Sequence, residues 1–103
     1  MLTRKALTAL RQRLLDIIAS ATYTTGGVVK RTTVASSGLL DDGRASVSLL
    51  IDEAESSGEV VTLVCLYDAA GDLLVEKTEN IVREPSMGSV YYRLFFTIDE
   101  MGG

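Results

Sequence analysis

The stretch Glu59-Val60-Val61-Thr62-Leu63-Val64-Cys65-Leu66-Tyr67 constrains this chain more than any other. It has no Gly or Pro and is dominated by β-branched and aliphatic side chains, so it reads as a strand. Alternation puts Val61, Leu63 and Cys65 on one face and Val60, Val64 and Leu66 on the other. Both faces are apolar. Such a strand belongs inside a sheet, with cover above and below. Asp68-Ala69-Ala70-Gly71-Asp72 then predicts a tight turn. An Asp side chain can accept hydrogen bonds from the turn backbone, and Gly takes the positive φ that closes a short hairpin. Leu73-Leu74-Val75 begins the return strand.

A chain of 103 residues makes one domain, here 1–103, large enough to enclose a core. At 47% hydrophobic and 23% charged residues it has the apolar content to order itself. The net charge of −4 is uneven: residues 1–20 carry Arg4, Lys5, Arg11 and Arg13 against Asp16, a balance of +3, so the remainder carries −7. Few basic residues on an acidic remainder argue against nucleic acid as a partner. The one cysteine, Cys65, has no internal disulfide partner and reads as a small hydrophobe. The apolar stretch over 7–18 is interrupted by Arg11, Arg13 and Asp16, which fits neither a secretory signal nor a span, and 60–66 is too short to cross a bilayer. No membrane partner is expected.

Residues 1–22 read as a helix. Leu7, Leu10, Leu14, Ile17 and Ala21 recur at spacings of 3 and 4, Ala6 and Ile18 widen the stripe, and Thr3 is placed to cap it. The stripe has three readings: docking on the chain's own sheet, an a/d seam between subunits, or lying on a membrane surface. The region 23–99 reads as antiparallel β structure, with 100–103 a frayed tail. Within it, Gly26-Gly27 allows a bend before a strand over 28–34, Ala35-Ser36-Ser37-Gly38 and Asp41-Asp42-Gly43 mark a loop and turn, and Ala45, Val47, Leu49 and Ile51 alternate inward along 44–52. A polar connection follows over 53–58. Residues 76–80 are polar on both faces and are expected to project past the core. Pro85 and Gly88 bracket a loop, and Val90, Tyr92, Leu94, Phe96 and Ile98 alternate in a last strand. The expected fold class is α+β: an N-terminal amphipathic helix packed on a mainly antiparallel, meander-like sheet of about five strands. The chain looks short for a full sandwich plus a helix, which leaves a neighbouring subunit to cover the second apolar face of 60–66.

Chemistry is sparse. There is no His, and one Cys cannot build a zinc site. The acidic groups Asp41-Asp42 and Asp52-Glu53-Glu55 lack calcium-loop spacing and read as solvated turns. No catalytic residue, cofactor or metal is expected. Tyr91 and Tyr92 must point to opposite faces of their strand, with Tyr92 inward and Tyr91, in line with Arg93 and Phe95, on an outer face. Tyr91 and Phe95 are candidate partner contacts, as are Leu7, Leu10, Leu14 and Ile17 on the helix.

The segment Leu66-Tyr67-Asp68-Ala69-Ala70-Gly71-Asp72-Leu73-Leu74 resembles a hairpin of tailed-bacteriophage tail-fibre and baseplate proteins, where an aliphatic–aromatic pair precedes Asp, Gly and further aliphatics. The layout is similar as well: an N-terminal helix, a Thr- and Gly-containing strand over 23–34, an alternating strand over 44–52, then the hairpin. The present helix is more basic than theirs. The resemblance implies a non-catalytic structural component of a phage or prophage tail, made in the host cytoplasm and destined for the virion. It would form homo-oligomers or join a larger phage structural protein. It also implies a turn role for Asp68 and Gly71, with Tyr67 and Leu73 packing beside it. A small β-rich binding module for a carbohydrate or peptide is the alternative, with 76–80 and the Glu84-Pro85-Ser86 loop as its recognition edge.

Overall fold

The computed structural model describes residues 3–52 and 58–97. Glu53, Glu55 and Ile98, and most of the 53–58 connection, lie outside the described residues. Helix α1 runs Arg4–Ile17. It is followed by strands β1 (Ser20–Thr25), β2 (Val28–Thr32), β3 (Val34–Leu39), β4 (Ala45–Ile51), β5 (Glu59–Tyr67), β6 (Leu73–Arg83) and β7 (Val90–Phe96). The strands form two antiparallel sheets, one ordered β2-β1-β5-β6 and the other β3-β4-β7. Among the described residues, seven strands in two sheets thus replace the expected single sheet of about five.

Two misread segments account for the difference. Ala35-Ser36-Ser37-Gly38 lies inside β3 and is not a loop. Small polar residues there have weak strand preference, but Val34 and Leu39 at the two ends pack against the core while β4 supplies a ladder. Pairing overrides propensity. Thr33 is then the single residue between β2 in the first sheet and β3 in the second, so one extended run turns a corner. The Thr32 hydroxyl donates to the Leu50 carbonyl at 2.6 Å and ties that corner to β4. A sandwich and a helix therefore fit into 103 residues because the connections are so short.

The helix is also shorter than expected. Thr3 Oγ1 accepts from the Ala6 amide at 3.1 Å, an N-cap. Helical geometry stops at Ile17. Ile18 is extended, and the Ala19 amide donates to the Tyr67 carbonyl at 2.8 Å, so the ladder with β5 takes over from the helix. Ala21 continues the 3–4 spacing of the stripe yet belongs to β1, where it is buried. The helix contacts β3 and borders the β3–β4 turn, and Leu15 and Ile18 join the core. The molecule is elongated, 49 × 28 × 24 Å, with a radius of gyration of 15.0 Å. A compact chain of this length would have about 13 Å.

The core lies between the sheets. Ala45, Val47, Leu49 and Ile51 of β4 are at most 1% exposed, as the alternation predicts, and meet Tyr23 of β1, Val61, Val64 and Leu66 of β5, and Leu94 of β7. The two faces of β5 are sorted by a bulge. The β5–β6 register shifts between Val61 and Leu63, so Val61 shares the inner face with Val64 and Leu66, while Val60, Leu63 and Cys65 lie outward. Strict alternation had paired Val61 with Leu63 and Cys65. The inner face of β5 is covered by the second sheet, which the chain itself supplies.

The polar half of β6 does not project past the core. Lys77, Glu79 and Arg83 occupy inward positions between the exposed Glu76, Thr78, Asn80 and Val82. Lys77 Nζ donates to the Phe95 carbonyl at 3.2 Å and lies 3.5 Å from Glu79 Oε1, an ion pair without hydrogen-bond geometry. Arg83, 2% exposed, donates to the carbonyls of Gly88 at 2.6 Å and Asp52 at 3.3 Å. β6 is a sheet edge, and inward-pointing charges are a known way to keep an edge from recruiting foreign strands. The same network perturbs Tyr92: burial first, then the hydrogen bond and charge of Glu79, raise its phenol above the ordinary value near 10. A raised folded-state pKa gives stability that is fully present below about pH 10 and is lost as the pH climbs past it. Chemical unfolding across that range should show the decline in the wild type and a flatter profile in Tyr92→Phe. Superimposable profiles would remove Tyr92 as the cause.

Candidate functional site

The helix presents two different lines to its surroundings. Arg4, Thr8 and Arg11 face Leu39, Leu40 and the turn Asp41-Asp42-Gly43 across a groove of about 330 Å³. The Arg11 guanidinium lies against Gly43, so close that a Cβ there would sit 2.7 Å from Nη1. Leu15, at the end of this line, is the single buried residue of the helix at 3% exposure. Residues 4, 8, 11 and 15 share a face, whereas 7, 10 and 14 are rotated from it by about 100°. Leu7 and Leu14 flank Arg11 at one turn's spacing and are partly buried with it, so of these leucines only Leu10 is turned out to solvent. Leu7, Leu14 and Ile17 are half-buried and Leu10 is 51% exposed. The sequence missed Leu15 because its neighbours at 8 and 11 are polar, so no apolar line runs through it.

The outer face of the first sheet is a second uncovered apolar surface. Val29, Thr24 and Leu63 lie side by side in register, as do Arg31, Thr22, Cys65 and Glu76 one step along. Val29 is 63% exposed, Val60 and Leu63 are half-buried, and Cys65 is buried among them. An open groove of about 640 Å³ runs over Thr22, Val29, Arg31, Tyr67 and Gly71. Within it the Tyr67 hydroxyl lies 3.1 Å from Thr22 Oγ1.

The outer face of the second sheet has another character. Ser46, Ser48 and Leu50 pair with Phe95, Arg93 and Tyr91. Tyr91 stands out into solvent at 72% exposure. Phe95 is half-buried, with Arg44 5.0 Å and Arg93 6.0 Å from its ring centre. This face is serine-lined and cationic. The structure keeps Tyr91 and Phe95 on one face of β7.

The β5–β6 turn is closed locally. Asp68 Oδ1 accepts from the amides of Ala70 at 3.0 Å and Asp72 at 2.9 Å, and Gly71 has φ +86°. Asp41 and Asp42 are exposed in the β3–β4 turn. The Arg44 amide and then its guanidinium, 2.7 Å from Asp42 Oδ2, hold the Asp42 carboxyl below the usual carboxylate range. Asp52 is exposed, and its amide donates to the Tyr23 hydroxyl at 3.2 Å. Among the described residues no three His, Cys, Asp or Glu side chains converge on a metal-sized site, and no helix is long and apolar enough to cross a membrane. What the arrangement offers chemically is surface: an amphipathic helix with Leu10 of its stripe exposed and a broad β-branched sheet face. No family model, curated protein or solved structure matches this chain.

Proposed function

We propose that the protein is a non-catalytic assembly component, of the kind found in phage or prophage tails, that associates with copies of itself through helix α1 and an open sheet face. One observation carries this reading: Leu10 stands 51% exposed on the helix stripe, with Leu7 and Leu14 beside it only half-buried. Completing the burial of these leucines against a partner is worth on the order of 3 kcal/mol gross. A lone domain gives that up. The tail assignment is supported by the likeness of 66–74 to tail-fibre and baseplate hairpins, and a place for the gene among tail-assembly genes would strengthen it.

Light scattering coupled to size exclusion tests the assembly. The wild type is expected to run as an oligomer, and the double variant Leu10→Asp/Leu14→Asp as a monomer with an unchanged circular dichroism spectrum. An unchanged mass for the variant rejects the helix as the seam.

A further inference from the structure

We propose that the outer edge of β7 pairs antiparallel with the same edge of a second copy, about a two-fold axis at Tyr92, so that two three-stranded sheets become one of six. This goes beyond the helix contact and rests on the self-assembly reading only in taking another copy as the occupant.

The choice of edge follows from how the others are protected. Among the described residues one sheet ends in β2 and β6, the other in β3 and β7. On β6, Lys77, Glu79 and Arg83 point inward. On β2, Lys30 faces inward beside the buried Tyr23 while Arg31 faces out, so two copies paired there would bring cations together. Helix α1 runs against β3. Inward charges and a covering helix keep an edge from recruiting a strand. β7 has neither. Its sequence Val90-Tyr91-Tyr92-Arg93-Leu94-Phe95-Phe96 carries one charge, no Pro and no Gly, and the inward positions are Val90, Tyr92, Leu94 and Phe96.

The register follows as well. Alternate residues of a strand turn their N–H and C=O groups to the same side. The Phe95 carbonyl, which accepts from Lys77 Nζ, marks the side away from β4, and Arg93 and Tyr91 share it. Pairing centred on Arg93 would set two guanidinium groups opposite each other and displace Lys77 from Phe95. Centred on Tyr91, it would engage only about three residues of each strand. Centred on Tyr92, it sets each Tyr91 ring, 72% exposed, opposite the partner's Arg93. That cation–π pair is made twice, with about four backbone hydrogen bonds, and Lys77 keeps its carbonyl. A contact of about five residues a side is small. It therefore acts beside the helix contact and gives way in dilute solution when that contact is lost.

Disulfide trapping between two variants tests this. Tyr91→Cys and Arg93→Cys change exposed side chains only, and Cys65 stays buried. Facing residues of such a pair stand about 5.5 Å apart. A disulfide bridges that separation but not the distance to a residue two places along. An equimolar mixture in oxidised glutathione should therefore form a cross-linked heterodimer at least about tenfold faster than either variant alone forms a homodimer. With Leu10→Asp/Leu14→Asp added to both chains, the preference should persist at raised protein concentration, because the edge does not use the helix. A mixture that cross-links no faster than the single variants overturns the edge pairing and leaves helix-driven assembly in place. A preference that survives the helix substitutions, with wild type and helix variant equal in mass, upholds the edge and rejects the helix seam.

Discussion

Replacing Leu66 with Ala is expected to destabilise the fold by about 3 kcal/mol, within the range for a fully buried leucine that leaves a cavity. Leu66 is 0% exposed, pairs across to Ala21 on one side and Val75 on the other, and looks into the second sheet. A domain of this size has roughly 5–15 kcal/mol in total, and each kcal/mol moves its midpoint by about 4–8 °C. A thermal melt should therefore drop by some 12–24 °C on that scale. The loss should not depend on protein concentration, because the cover over Leu66 comes from the same chain. Leu10→Ala, by contrast, should change the unfolding free energy of the dissociated domain by no more than about 0.5 kcal/mol, since Leu10 is at the surface. A loss below about 1 kcal/mol for Leu66→Ala, or one that shrinks on concentration, would mean that the two sheets do not pack within a single copy.

Arg83→Ala should be comparably damaging, by about 2–4 kcal/mol. The Arg83 guanidinium sits at the end of β6, 2% exposed, and bonds the carbonyl of Gly88 beyond the 3-10 turn at Pro85–Met87 and that of Asp52 after β4. It ties together two of the three places where the described chain passes from one sheet to the other. Its loss leaves carbonyls without a donor and opens the space the side chain filled. Arg83→Met restores much of the volume but none of the hydrogen bonds. Urea unfolding should place Met between wild type and Ala. Equal stability of Met and wild type would show that Arg83 acts by filling space alone.

The two variants mark what was legible in the chain and what was not. Leu66 could be assigned to a core from its neighbours, because seven successive non-polar or β-branched residues from Val60 have few other places to go. The inward row Ala45-Val47-Leu49-Ile51 was legible for the same reason: alternation is a local pattern with a local cause. The turn at Asp68 and Gly71 was readable because its chemistry is confined to five residues. Arg83 could not be assigned to the interior. A charged residue is buried only when carbonyls distant in sequence are brought to it, and neither Asp52 nor Gly88 announces that role. Ser36 and Ser37 became strand because β4 offered a ladder, and Ala21 left the helix because β5 offered one.

The candidate site divides in the same way. Periodicity showed that Leu7, Leu10 and Leu14 form a stripe, and composition showed that the helix is basic on an acidic domain. Both follow from residue order alone. Which side of the helix meets its own body was decided by Leu15 entering the core and by Arg11 against Gly43, in a turn some thirty residues away in the chain. Which face of β5 turns inward was decided by a one-residue bulge, since each slip of a strand by one position exchanges its two faces. Residue order determines what a surface is made of. Only the packing of distant segments decides which surfaces are left over for a partner.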